Sequence, residues 1–404
     1  MIGEIHDEHT RQDIIDAKSV GLDAFAMNFN KFASWSENTV ERLFKNADEL
    51  GFGLFFSFDM APGYFTDPNQ YATYLRKYTD RTSYYKHNGK PLVSTFGGEK
   101  VSDTQWSTFK GTVGDVVIIP GFYATPASTE VFDSRPSIDG IFNWNSWSLP
   151  SAGRTTVSTK DDETYMSAAS TAKKLFMLGI SPMQFKHIDG SQNWYRRAED
   201  NLEYRFAQAL ELQPDMLQLQ SWNDAGESHY MGRLWPEPMT NSPIHTYVDG
   251  YDHTGYWQVL PAFIQAWKRG DKTTAGMVPT NGKSVQGTFW HHTLLTGADC
   301  TADPIGKPVE IENIEDAVTG IVLVAKGKTG LVAEIKSGGK QLGKLVLVEG
   351  YNKFKFTGLT TGKVTLEVWE GSTMVAGGYG ALEVSNSAEV CNYNFQVVGF
   401  PAAE

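Results

Sequence analysis

Along the first 224 residues, short runs of almost uninterrupted apolar side chains alternate with stretches whose apolar positions recur every three or four residues. The runs are GLDAFAMNF (21–29), GLFFSFDM (53–60), PLVSTFGG (91–98), VVIIPGFY (116–123), GIFNWNSW (140–147), LFMLGISPMQF (175–185) and MLQLQSWND (216–224). A strand that is apolar on both faces is one covered on both faces, the situation of a parallel sheet wrapped in helices. Between several runs lie TRQDIIDAKSV, ENTVERLFKNADEL, DPNQYATYLRKYT and AEDNLEYRFAQALEL, amphipathic at helical spacing. The alternation predicts βα units. Seven strands are present, and MIG at the start reads as the end of a first strand cut short, so the expected architecture is a (β/α)8 TIM barrel. An open doubly wound sheet is the alternative, but no Gly-x-Gly-x-x-Gly follows any run.

WQVLPAFIQAWKRG (257–270) reads as the last barrel helix, reached through a loop, 225–256, too long for a simple connection. Beyond it the texture changes. GIVLVAKG, GLVAEIKSGG, KLVLVEG, KFKFTGL and KVTLEVWEG alternate apolar with polar and break at glycines, the pattern of an antiparallel β-sandwich. The expected division is a barrel over 1–275 and a sandwich over 276–404.

Composition narrows the function classes. A net charge of −12 argues against nucleic-acid and anionic-membrane partners, and no run of about 18 apolar residues offers a membrane span. Eleven Trp and 17 Tyr suit stacking on a neutral polar ligand such as sugar, although rings also fill cores. Cys300 and Cys391, the two cysteines, bracket the sandwich, and one bridge is open to them in an oxidising compartment. No Cys/His cluster suggests zinc. His6 and His9 resemble a metal clamp but read better as a solvated pre-helical turn, and His291 and His292 read as packing.

The chemistry of a TIM barrel is built where its strands end. Those ends carry Asn28, Asn30, Asp59, Glu99, Asn143, Trp144, Asn145, Trp147, Gln184, His187, Asn223, Asp224 and Glu227. Acids, amides and indoles predominate and cations are scarce, which disfavours a phosphorylated substrate and favours glycoside hydrolysis by paired carboxylates. Asp224 and Glu227 have the spacing of a capping box. The stretch SHYMGRLWPEP after them lacks helical periodicity, so a cap explains them poorly and a catalytic pair explains them better. Asp59 alone fits a turn cap as well as an active-site acid. Trp144 and Trp147 read as a sugar platform rather than core.

The phrases GLDAFAMNF, LFFSFDM, YYKHNGKPLVSTF, DGIFNWNSW, ISPMQF, LELQPDMLQLQSWND and GESHY, in that order, resemble glycoside hydrolase family 71, the fungal endo-α-1,3-glucanases or mutanases. The resemblance covers about residues 2–270. It implies a barrel followed by a sandwich, inverting cleavage of α-1,3-glucan without metal or other cofactor, and a secreted, wall-directed monomer. It carries catalytic roles onto Asp59, Asp224 and Glu227, with Glu227 as acid, Asp224 as base and Asp59 in support. The residues expected to bind substrate are Asn28, Trp144, Trp147, Trp194, Trp222, Asn223, His229 and Tyr230. Met183 and Asn145 depart from the family pattern, where an aromatic and an Asp are frequent. A non-catalytic α-glucan-binding protein and a glycosidase of altered linkage specificity are the competing readings.

Overall fold

A computed structural model describes residues 3–401. Seven parallel strands form its first part: β1 (Ala24–Phe29), β2 (Gly53–Asp59), β3 (Lys90–Phe96), β4 (Val117–Phe122), β5 (Gly140–Asn143), β6 (Leu175–Ile180) and β7 (Met216–Leu219). Each pairs with the next in sequence, giving a nearly closed barrel whose order is the chain order. Among the described residues β1 and β7 have no strand between them. The remnant of a first strand expected at MIG is a bend at Gly3; Met1 and Ile2 lie outside the described residues.

The helices α1 (Asp7–Ser19), α2 (Ser34–Leu50), α5 (Leu202–Leu212) and α6 (Leu260–Lys268) follow the sequence pattern, and α3 (Asp103–Val113) and α4 (Lys160–Ala172) lie in stretches where the pattern names no helix. Helix α2 buries Thr39, Val40, Leu43, Phe44 and Ala47, one stripe at three- and four-residue spacing. It ends at Gly51, whose φ of 65° is the left-handed cap that glycine adopts without a Cβ clash. The helix expected over 67–79 is shorter, a 3-10 turn at Pro68–Gln70 and a helix at Ala72–Arg76. Its apolar positions Tyr71, Tyr74, Leu75 and Tyr78 are all buried regardless, so the pattern recorded burial rather than helix length.

LFMLGISPMQF is two elements, not one strand. Strand β6 stops at Ile180, and Gln184–Asp189 pairs antiparallel with Gln192–Arg196 in a hairpin above the barrel. Ser181, Pro182 and Met183 separate them, and a proline cannot donate to a ladder.

After residue 284 two four-stranded antiparallel sheets follow, and Leu294–Asp299 pairs parallel with Ser385–Ser387 beside them. One sheet has the order β12–β9–β8–β15, from β8 (Val285–His292), β9 (Ala317–Val324), β12 (Gly350–Thr357) and β15 (Phe395–Phe400). The second has the order β11–β10–β13–β14, from β10 (Leu331–Ser337), β11 (Lys340–Val346), β13 (Val364–Glu370) and β14 (Thr373–Tyr379). Strand β10 alternates buried and half-buried residues along its whole length. Its Leu331, Ala333 and Ile335 join Phe289, Val318 and Val322 of the first sheet in one apolar cluster. A disulfide links Cys300 to Cys391 across 91 residues. Closing a loop of that length contributes roughly 2–5 kcal/mol. His291 and His292 are buried in β8, as packing requires.

Candidate active site

A cavity of 540 Å³ opens at the C-terminal end of the strands and continues down the line between β1 and β7. At its far mouth Lys268 pairs with Asp23 at 2.6 Å. Asp59, Asp224 and Glu227 line its upper end together with Asn28, Asn30, Trp144, Trp222, Asn223 and His229.

The segment after β7 folds back on itself. Ser221 and His229 bond through N–H and carbonyl at 2.7 Å, Met231 N–H donates to Ser221 O at 2.9 Å, and Gly232 N–H to Trp222 O at 2.7 Å. A Cβ on Gly232 would stand 2.4 Å from the Trp222 indole, so only glycine lets that ring lie on the backbone. Inside the fold-back one 3-10 turn, Ala225–Glu227, does follow Asp224, correcting the expectation that no helical turn stands there. Asp224 caps it, its Oδ1 accepting from Glu227 N–H at 3.2 Å. The two readings of Asp-x-x-Glu are therefore compatible: the cap uses Oδ1, and Oδ2 points elsewhere. Tyr247 donates its hydroxyl to Gly226 O at 2.9 Å, and its own carbonyl accepts from Asn392 and Asn394 beside β15. The antiparallel sheets thus brace the turn.

His229, fully buried, lies between the two acids, with Nε2 3.2 Å from Asp224 Oδ2 and 3.6 Å from Glu227 Oε2. Burial opposes its charged form, but the two carboxylates hold its pKa above the usual 6.5. Burial likewise pushes Asp224 up, but the His229 ring 3.2 Å away outweighs it and keeps that carboxyl well below the ordinary range. Glu227 has a different setting. The amide of Gln184 donates to its Oε2, and Lys186 Nζ stands 3.7 Å from Oε1.

Asp59, at the end of β2, is pushed by burial to about 6, against the amide of Ala61 that donates to its Oδ1 at 3.0 Å. The charges of Asp224 and Glu227 add to the rise, so the three acids sense one another. A folded-state pKa above the unfolded value means that Asp59 favours the fold when protonated. That contribution is complete below about pH 4 and lost as pH rises through 6, by up to about 3 kcal/mol. Asp59→Asn is therefore expected to raise the thermal midpoint at pH 7, leave it little changed at pH 4, and lower turnover. A midpoint that falls at pH 7 would remove the electrostatic account.

The other candidates divide. Asn28 and Asn223 face the cavity half-buried. Trp144 also lines it, packed on Phe96 at 4.4 Å. Trp194 lies on the hairpin with Lys186 Nζ 4.9 Å above its ring. Trp147 is not an open platform: it is buried, its ring edge-on to His229 at 5.9 Å and covered by Arg196 at 5.5 Å. Trp222 is sandwiched between Trp257 and Phe25, its Nε1 donating to buried Asp13 at 3.0 Å. Tyr230 is buried, donates to Tyr251 O at 2.6 Å and stacks on His253, so it packs rather than meets substrate. Glu99 is occupied by the amides of Tyr123 and Ala124 at 2.7 and 2.8 Å, and Asn143 by Asp162 at 2.7 Å. Asn145 donates to Tyr123 O at 3.2 Å, and Met183 is fully buried. His187 bonds Asp303 at 2.8 Å, away from the three acids.

Sequence reasoning missed Lys186 and Arg196, having taken cations to be scarce here. Both sit on the hairpin, whose DGSQ turn between alternating stretches was the available signal. Also missed are the exposed rings Phe32, Tyr64 and Tyr123 on loops after β1, β2 and β4. Two clusters have a spacing a cation could bridge, with ligand atoms within 4.8 Å of one another: Asp224, Glu227 and His229, and separately His6, His9 and Glu237.

The chain is similar to known proteins over nearly all of its length. The glucan endo-1,3-alpha-glucosidase agn1 of Schizosaccharomyces pombe is 28% identical, covering 95% of this chain and 88% of its own. A mutanase of Penicillium rubens is 26% identical over 98% and 86%. An ascus wall endo-1,3-alpha-glucanase of S. pombe is 26% identical over 95% and 91%. Among solved structures, the GH99 endo-alpha-mannosidase of Bacteroides thetaiotaomicron superposes with a TM-score of 0.51 at 15% identity, over 66% of this chain and 80% of that one, a likeness of fold. The family profile described as Glycosyl hydrolase family 71 matches residues 1–404, and the chain belongs to that family.

Proposed function

We propose that the chain hydrolyses α-1,3-glucosidic bonds of α-1,3-glucan, with inversion, at the C-terminal mouth of the barrel. The observation that carries this reading is the meeting of Asp59, Asp224 and Glu227, from two strand ends, at one mouth of one cavity. The glucan is taken from the names of the similar fungal enzymes. Glu227 gives its proton to the glycosidic oxygen as the C1–O bond breaks. Asp224, kept ionised by His229, takes a proton from the water that adds to C1 from the opposite face. Gln184 and Lys186 stabilise the Glu227 carboxylate so formed. Asp59 binds substrate and adjusts to the charge of the pair.

The same reading takes residues 1–275 as the catalytic barrel and 276–404 as a β-sandwich that braces it, in a secreted, wall-directed monomer. No helix among the described residues is long and apolar enough to cross a membrane. The test is incubation with insoluble α-1,3-glucan, following reducing ends and the anomer first formed. The β-anomer first supports inversion; the α-anomer first overturns it, and no released sugar overturns the activity in favour of binding alone. One observation favours a second reading, cation-dependent hydrolysis at the same place: the bridging spacing of Asp224, Glu227 and His229. Turnover that survives exhaustive chelation at low temperature excludes it.

A further inference from the structure

His6 and His9 open the chain's first helix, one at its N-cap and one a turn later, on the same face. Sequence alone made them a solvated turn. The fold brings a third ligand from 228 residues away: Glu237 Oε1 lies 2.6 Å from His9 Nδ1 and 3.9 Å from His6 Nδ1. The His6 backbone N–H also donates to that oxygen at 3.1 Å, which fixes the carboxylate over the helix start. The parts differ usefully in mobility. His9 is clamped face to face on Trp235, ring centroids 3.8 Å apart and planes 5° apart. Glu237 is 13% exposed, at the start of a short turn between Pro236 and Pro238. His6, 56% exposed, is free to adjust.

We propose that His6, His9 and Glu237 form a binding site for a first-row divalent cation of the zinc class, distinct from the three acids of the active site. Two ligand atoms on one tetrahedral zinc stand roughly 3.3 Å apart, given bonds of about 2.0–2.1 Å. Opening the 2.6 Å pair takes a small rotation of the Glu237 carboxylate, and closing the 3.9 Å pair a swing of the exposed His6 ring, each of less than about 1 Å. Imidazole and carboxylate together suit zinc, nickel or cobalt rather than calcium or magnesium, which prefer all-oxygen shells. Water, or Glu8, whose Oε1 is 3.8 Å from His6 Nδ1, takes the fourth position.

Such an ion ties α1 to the segment that leaves the active-site turn. That segment already reaches α1 through Arg233 to Asp16 at 2.8 Å and Trp235 Nε1 to Asp13 at 3.1 Å. Asp13 accepts from Trp222 as well, two residues before Asp224. The ion therefore stabilises the seat of the catalytic loop without touching substrate.

Titration of the chelator-stripped full chain with Zn²⁺ by calorimetry, alongside thermal unfolding, tests the site. One saturable equivalent is expected, with a midpoint that climbs with Zn²⁺ concentration. In His6→Ala and Glu237→Gln that equivalent weakens by at least about tenfold and the climb is lost. His6→Ala, at an exposed side chain, keeps the fold and the metal-free turnover. No saturable binding to the wild type overturns the proposal. So does binding that survives His6→Ala and disappears in Asp224→Asn, which moves the ion to the active site.

Discussion

Glu227→Gln is expected to lower kcat on α-1,3-glucan by about 10²–10⁴-fold, the usual worth of a positioned general acid, with a far smaller loss on an α-glucoside bearing a nitrophenolate leaving group. The reason is the leaving oxygen. A sugar alkoxide departs only if protonated as the bond breaks, whereas an acidic phenol leaves unaided. Glutamine occupies the same volume and keeps one carbonyl oxygen, at the position beside His229 or at the one beside Lys186, so the turn should persist. It replaces the oxygen that accepts from Gln184 or the one beside Lys186, and either amide can rotate. Steady-state kinetics on both substrates check this. Equal losses on the two would take the acid role from Glu227 and pass it to Asp59, whose carboxyl, held near 6, is the alternative proton donor.

The largest loss of stability is expected at Arg205→Ala, about 3–5 kcal/mol. Arg205 and Asp162 are both fully buried, paired at 2.6 Å and 3.4 Å. The guanidinium also donates twice to Gly179 O, at 3.2 and 2.7 Å, and Asp162 accepts from Asn143 at 2.7 Å. One ion pair thus joins α4, α5, β5 and β6. Truncating the arginine strands a carboxylate in the interior, and that uncompensated charge is the cost. Urea unfolding should show the midpoint falling at unchanged slope. The double variant Arg205→Met/Asp162→Leu, with no charge left behind, should recover much of the loss. If the double variant is as unstable as Arg205→Ala, packing rather than charge explains the position.

These residues show what a sequence can reveal. The barrel strands were legible because each is covered on both faces, and nearly continuous runs such as VVIIPGF admit few other placements. The antiparallel strands were legible by alternation. Asp59, Asp224 and Glu227 could be named as candidates because they follow apolar runs where barrel strands end, and the structure brings all three to one cavity. Residues defined by distant partners were not. Asp13 looks like an ordinary polar position in TRQDIIDAKSV, yet it is buried, its carboxyl pushed up to about 7, and it receives two indoles from more than 200 residues away. Trp147 and Tyr230 carry the residue types of a sugar platform and are consumed by packing, a difference only three dimensions decide.

The line between β1 and β7 has a mechanical meaning. A closed barrel has its circumference set by strand number and stagger; a hoop cut at one point does not. Asp59 stands on one side of the cut, beyond β1, and Asp224 and Glu227 stand on the other, beyond β7. Across it run side-chain contacts such as Phe25 to Trp222 at 5.4 Å. Among the described residues, strand pairing connects Asp59 to Asp224 and Glu227 the long way round, through β2 to β7. The distance from Asp59 to the pair Asp224 and Glu227 is therefore set, among the described residues, by the side chains packed between β1 and β7, with Phe25 and Trp222 as its gauge.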